Sequence, residues 1–194
     1  MLNRFPDIVV ADTCVLISSV MRILVLGLAQ QRRIAVAWST VIGEEWKRNA
    51  GRLWQVSGDD IAAQWVALQQ AFPDADLGDV SPFKEGLRHS DPKDHHVVAA
   101  GRAAQVRWPQ AEVAILTRNI RDFNRSELRR HGLQLYDPDL FFWRCHQQWP
   151  DLMQCLLEDL PAQVASPERP QLPLDALLRR ERLFRLNKVV LCPL

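Results

Sequence analysis

Ile8-Val9-Val10-Ala11-Asp12-Thr13-Cys14 is the stretch whose reading decides the fold. Four apolar residues in a row, the first three β-branched, end abruptly on a carboxylate. An uninterrupted apolar run this short describes a strand covered on both faces, as in a parallel sheet, rather than one that alternates between core and water. Working outward, three more runs share the pattern: Ile34 to Trp38, Val113 to Leu116 and Leu133 to Tyr136. Helical spacing fills the intervals. Val15 to Gln31 carries a heavily apolar face, and Ser39 or Thr40 can cap a helix bearing Glu44, Glu45, Trp46, Lys47 and Arg48. Asp59 or Asp60 can cap another, in which Ile61, Trp65, Leu68 and Phe72 recur as a core stripe. Asp91, Pro92 and Asp94 open the next. Strands alternating with helices predict an α/β fold around a central parallel sheet.

Beyond Asp137-Pro138-Asp139 the pattern turns to helix, from Leu140 to about Leu160. Pro161, Pro167, Pro170 and Pro173 read as a linker near 161–173. Leu174 to Leu186 reads as a basic amphipathic helix with Arg179, Arg180, Arg182 and Arg185. The chain therefore divides into an α/β unit, 1–139, and a helical C-terminal extension, 140–194.

At 194 residues the chain is long enough to bury a sizeable core, and its 47% apolar content is that of an ordinary globular protein. A net charge of +1 gives no global attraction to nucleic acid, so any such surface must be local. Cys14, Cys145, Cys155 and Cys192 show neither CxxC pairing nor zinc-finger spacing, and read as reduced thiols. The N-terminus lacks a secretory pattern, and the apolar stretch Met21 to Ala29 is too short to span a bilayer. A cytoplasmic protein with no membrane partner is expected.

Acidic residues recur where strands end and helices begin: Asp12, Glu44 and Glu45, Asp91 and Asp94, and Asn119 with Asp122. In an open parallel sheet the carboxyl ends of the strands form the crevice that binds ligands. Like charges about 4 Å apart repel by about 4 kcal/mol at an effective dielectric near 20. A divalent cation relieves that repulsion, which points to a metal-dependent enzyme. Each acid also has a plainer reading. Asp12 and Asp91 are good N-caps, and acids in a first helical turn are favoured by the helix dipole. Adjacent helical residues point about 100° apart, so one of Glu44 and Glu45 faces the crevice, and Glu45 is the choice. A hard, oxygen-rich site favours Mg²⁺ or Mn²⁺, which leaves His95 and His96 as supporting residues.

The ordered set Asp12-Thr13-Cys14-Val15-Leu16, Trp38-Ser39-x5-Glu45, Asp91-Pro92-x-Asp94-x-His96-Val97 and Leu116-Thr117-x-Asn119-x-x-Asp122-Phe123 resembles the PIN domain, the nuclease domain of VapC toxins. The resemblance covers roughly residues 7 to 139, and the later helices are similar to the C-terminal extension of one VapC subgroup. It implies a three-layer α/β/α fold and a Mg²⁺- or Mn²⁺-dependent endoribonuclease that cleaves structured RNA such as tRNA or rRNA. It also implies a homodimer held in check by a VapB-like antitoxin. Carried over by position, Asp12, Glu45 and Asp94 are the catalytic acids and metal ligands, and Asn119 and Asp122 complete the metal shell. Arg22, Lys47, Arg48, Arg118 and Arg121 are the candidate RNA-phosphate contacts. Lys93, Ile23 and Cys14 depart from the family pattern. A dehalogenase-type phosphatase is disfavoured, because its second acid would fall on Cys14. The alternative is a catalytically weak PIN-like module that binds RNA or a protein partner.

Overall fold

The computed structural model describes residues 4–54, 56–165 and 170–191. Strands β1 (Ile8–Ala11), β2 (Ala35–Ala37), β3 (Val113–Leu116) and β4 (Gln134–Tyr136) form one sheet in the order β2-β1-β3-β4, with every neighbouring pair parallel. The helices are α1 (Thr13–Leu16), α2 (Ser19–Gln30), α3 (Thr40–Trp54), α4 (Gly58–Ala71), α5 (His95–Arg107), α6 (Arg125–Arg130), α7 (Pro138–Gln148), α8 (Pro150–Val164), α9 (Leu174–Arg180) and α10 (Phe184–Leu191). None is long and apolar enough to cross a membrane among the described residues.

The period-two geometry of a strand divides the core. Ile8, Val10, Val113 and Ile115 face one layer, with Ile42 and Trp46 of α3, Ile61 and Trp65 of α4, and Val97 and Ala100 of α5. Val9, Ala114, Leu116 and Tyr136 face the other, with Met21 and Leu24 of α2, Phe141, Phe142 and Cys145 of α7, Met153 and Leu160 of α8, Leu178 of α9 and Leu186 of α10. The result is helices on both faces of a parallel sheet. Among the described residues, the helices beyond residue 139 thus supply most of one layer of this same core.

Several expected elements are broken by identifiable local chemistry. The helix expected over Val15–Gln31 divides, because Ser18 leaves helical geometry and its Oγ accepts the Met21 amide (3.2 Å) to cap α2. Helix α4 is capped by Ser57, whose Oγ accepts from the Asp60 amide, so Asp59 and Asp60 lie in its first turn instead. The stretch Leu140–Leu160 divides at Trp149-Pro150, since the residue before a proline is driven out of the helical region. Pro161 lies inside α8, so the linker starts after Val164; Pro167 and Cys192 lie outside the described residues. The tail helix divides where Arg182 takes a left-handed conformation (φ 61°). The Leu183 amide there closes back onto the Leu178 carbonyl at 2.8 Å, a C-terminal helix stop.

From β1 the chain crosses to β2 on one side and returns, through α3, α4 and α5, to β3 on the other. The order reverses at β1, and the crevice at such a reversal lies beyond the carboxyl ends of β1 and β3. Asp12 and Thr117 occupy those ends.

Helices α3 and α4 meet through Gly43, where an added methyl would lie 2.5 Å from Cζ2 of the buried Trp65. Helix propensity alone favours alanine at Gly43 by about 1 kcal/mol. Overpacking wins here, and Gly43→Ala is expected to destabilise the fold by about 1–3 kcal/mol in urea unfolding; a stabilised variant would show that the two helices do not meet as described.

Candidate active site

Asp12 is 4% exposed and sits at the N-cap position of α1, yet its side chain makes no capping hydrogen bond. Its Oδ2 instead accepts from Thr117 Oγ1 (2.6 Å) and from Cys14 Sγ (3.2 Å). Thr117 Oγ1 in turn accepts the Asn119 amide (3.0 Å), and Cys14 Sγ accepts the Arg118 amide (3.2 Å). The plain capping role is therefore absent, and a buried carboxylate is held in one orientation by the loop after β3. Burial first, and then the Asp12 charge, push the Cys14 thiol up to about 12, which keeps its proton available to Asp12.

Asp94 repeats the pattern. It occupies the N-cap of α5 without a side-chain cap, whereas Asp91 does cap, accepting the Lys93 amide at 2.9 Å. The Asp94 carboxyl is raised to about 6, by burial first and then by the charges of Asp12, Asp122 and Asp91, with His96 opposing. Two sequence-distant acids, Asp12 and Asp122, together with the neighbouring Asp91, thus repel Asp94 in one crevice. The Asp91 amide donates to the Asp122 carbonyl (2.7 Å), which ties the two loops together.

Glu45 is the crevice-facing member of its pair; Glu44 is exposed and bonded to Lys47 at 2.5 Å. Glu45 Oε2 accepts from Thr13 Oγ1 (3.0 Å) and lies 3.4 Å from His96 Nε2, an ion pair by distance without hydrogen-bond alignment. Contact with His96 is the leading cause of a lowered Glu45 carboxyl. Burial disfavours charge on His96, but Glu45 overcomes it and raises the imidazole. His96 Nδ1 lies 2.8 Å from the Lys93 carbonyl, which leaves Nε2 directed at Glu45. His95 Nε2 meets the Ser90 carbonyl at 3.0 Å instead.

The basic candidates fare differently. Arg22 is half-buried, donates to the Leu16 carbonyl (3.1 Å) and stacks over Trp54 and Trp46; desolvation lowers its guanidinium, and it is part of the packing of α2 on α3. Lys47 is paired with Glu44, and Arg118 with Glu181 at 2.5 Å. Arg48 and Arg121 are exposed, as is Asn119. Arg48 is close enough for its charge to lower Glu45.

Sequence reading overlooked Glu127. This buried carboxylate of α6 accepts from the amides of Arg88 (2.8 Å), His89 (3.1 Å) and Ser90 (2.9 Å) and from Ser90 Oγ (2.7 Å). Burial opposes its ionisation, but these donors hold its carboxyl down to about 2. The loop that delivers Asp91 and Asp94 hangs from it. Thr13 and Thr117 were likewise given no role of their own, though Thr13 follows Asp12 and Thr117 stands two residues before Asn119.

No protein-family model matches the chain, and neither a curated protein nor a solved structure matches it. The donor chemistry at the crevice is that of a hard cation: carboxylate oxygens, mutually repelling. Among the described residues, no three His, Cys, Asp or Glu side chains are grouped closely enough, as placed, to enclose a metal. Mg²⁺ does not require that, since it keeps several waters and is commonly held by one or two carboxylates plus a substrate phosphate.

A carboxyl raised from 3.8 to about 6 in the fold binds a proton that the unfolded chain has already released. Native stability therefore falls as pH climbs from about 4 through 6 on account of Asp94. Asp94→Asn is expected to raise the melting temperature of the metal-free protein at pH 8 and to lose that advantage at pH 4. An equal shift at both pH values would remove the acidic cluster as its cause.

Proposed function

We propose that the protein is a metal-dependent phosphodiesterase acting on RNA, the endoribonuclease implied by its resemblance to PIN domains. The observation that carries the reading is that Asp12 and Asp94 stand at helix N-caps without capping. Asp12 is bound instead to Thr117 and Cys14 at the strand-order reversal, and Asp94 lies close enough for the Asp12 charge to raise its carboxyl. An acid held against its neighbours' charge, as Asp94 is, marks a candidate functional site.

Asp12 and Asp94 would hold a Mg²⁺ or Mn²⁺ ion. When bound, such an ion neutralises the phosphate and acidifies a water. The chain's own residues do the rest. Thr117 and Cys14 fix Asp12, so that one oxygen is committed to the scaffold and the other is free for the crevice. Glu45, kept ionised by His96 and Thr13, is an acceptor that can orient a nucleophilic water or take its proton. Asp122 adds negative charge beside Asp94, and Arg48 and Arg121 are the exposed cations suited to a flanking phosphate. A toxin role, an antitoxin that covers the crevice, and a homodimer belong to the same proposal and rest on the resemblance alone.

Asp12→Asn and Asp94→Asn are each expected to reduce Mn²⁺-dependent cleavage of a total-tRNA substrate at least a hundred-fold, with far-ultraviolet circular dichroism unchanged. Undiminished cleavage by either folded variant would remove the assigned chemistry. The rival reading, a PIN-like binding module, predicts instead that the unmutated protein retains RNA without cutting it at any Mn²⁺ concentration.

A further inference from the structure

At the lip of the crevice the turn between α9 and α10 places a carboxylate where an anion site has been built. Glu181 Oε2 accepts from Ser18 Oγ at 2.9 Å and from Arg118 Nη2 at 2.5 Å, and Arg118 Nη2 also donates to the Glu181 carbonyl at 3.1 Å. Arg180 Nε lies 3.5 Å from the other carboxylate oxygen. Ser18 is the N-cap of the twelve-residue α2, whose positive dipole end faces the same carboxylate. The Glu181 side chain is only 12% exposed. Two guanidinium groups, a hydroxyl and a helix terminus thus converge on one oxyanion, far more donors than a surface ion pair needs.

The locus adjoins the catalytic acids. The Arg118 amide bonds Cys14 Sγ, and Cys14 bonds Asp12, so two hydrogen bonds separate this anion site from the buried carboxylate. The turn that carries Glu181 is anchored independently: Asp139 accepts the amides of Arg185 (2.8 Å) and Leu186 (3.2 Å), while Leu178 and Leu186 are buried. The Glu181 side chain can therefore leave without undocking the helices.

We infer that Ser18, Arg118 and Arg180 form a phosphate-binding site at the crevice lip, and that Glu181 fills it as an internal substitute until a phosphodiester of the bound strand displaces it. The inference rests on the nuclease reading for its class of ligand. Phosphate suits the donors at least as well as carboxylate, since an arginine fork meets two of its oxygens at once. This gives the C-terminal turn a role: it guards one substrate subsite against other anions and sets a threshold for RNA entry.

The test uses the full chain in EDTA, with a 5′-fluorescein dodecauridylate as probe and anisotropy as readout. Glu181→Gln removes the competing charge and is expected to bind the RNA at least three-fold tighter than wild type. Adding Arg118→Gln to that variant should abolish the gain. Glu181→Asp, which draws the charge back by one methylene, should shift affinity in the same direction and serves should the glutamine variant fail to fold. Equal or weaker binding by the folded Glu181 variants, or a gain that survives loss of Arg118, overturns the inference. Cleavage of total tRNA with Mn²⁺ is followed in parallel. Cleavage without the affinity gain defeats the phosphate site alone, the gain without cleavage defeats the nuclease reading alone, and the absence of both gain and cleavage defeats both.

Discussion

The pairing of β1 with β3 is the constraint on which the structure depends. Its register sets Ala11 opposite Leu116, so the next residues, Asp12 and Thr117, meet across the carboxyl end of the sheet and join at 2.6 Å. A slip of one residue would exchange the two faces of the strand, putting Val9 among the indoles and Val10 among the tail helices. It would also separate Asp12 from Thr117. The same ladder thus arranges both hydrophobic layers and orients the buried carboxylate.

Around that fixed point the crevice is assembled from segments that cannot find one another locally. Asp94 arrives on a loop suspended from Glu127, Glu45 on α3, and Asp122 on the turn after β3. Crowded charge opposes the fold at Asp94, whose carboxyl is raised, while Glu127 works the opposite way, its charge welcomed by four donors. A half-buried and a buried carboxylate in one small region therefore have opposite electrostatic fates. The difference lies in the number of hydrogen-bond donors each receives.

Much of this was legible in the chain. The strand runs at Ile8, Val113 and their neighbours are short, apolar and β-branched, so both the parallel sheet and the acids at its ends followed from them. Helix breaks were less visible. Ser18 and Arg182 each act through one local hydrogen-bond pattern that competes with an otherwise continuous apolar periodicity. Glu127 was hidden for a different reason: in Arg125-Ser126-Glu127-Leu128-Arg129-Arg130 it looks like a solvated helical acid, and its partners lie 37 to 39 residues earlier. Arg22 and Arg118 read as free cations because neither the Trp stack nor Glu181 is near them in sequence. Nor did periodicity reveal that the late helices complete a layer of the main core.

The row of indoles beneath one face of the sheet has a consequence for how this molecule can be watched. Trp38, Trp46, Trp54 and Trp65 lie ring against ring, with successive centroids 5.3 to 5.5 Å apart, while Trp149 packs on Phe5 in the opposite layer. Chromophores this close share their excited states, so the α3–α4 layer carries a coupled optical signature that the tail layer lacks. Loosening of one side of the sheet is thereby spectrally distinct from loosening of the other, with no label attached.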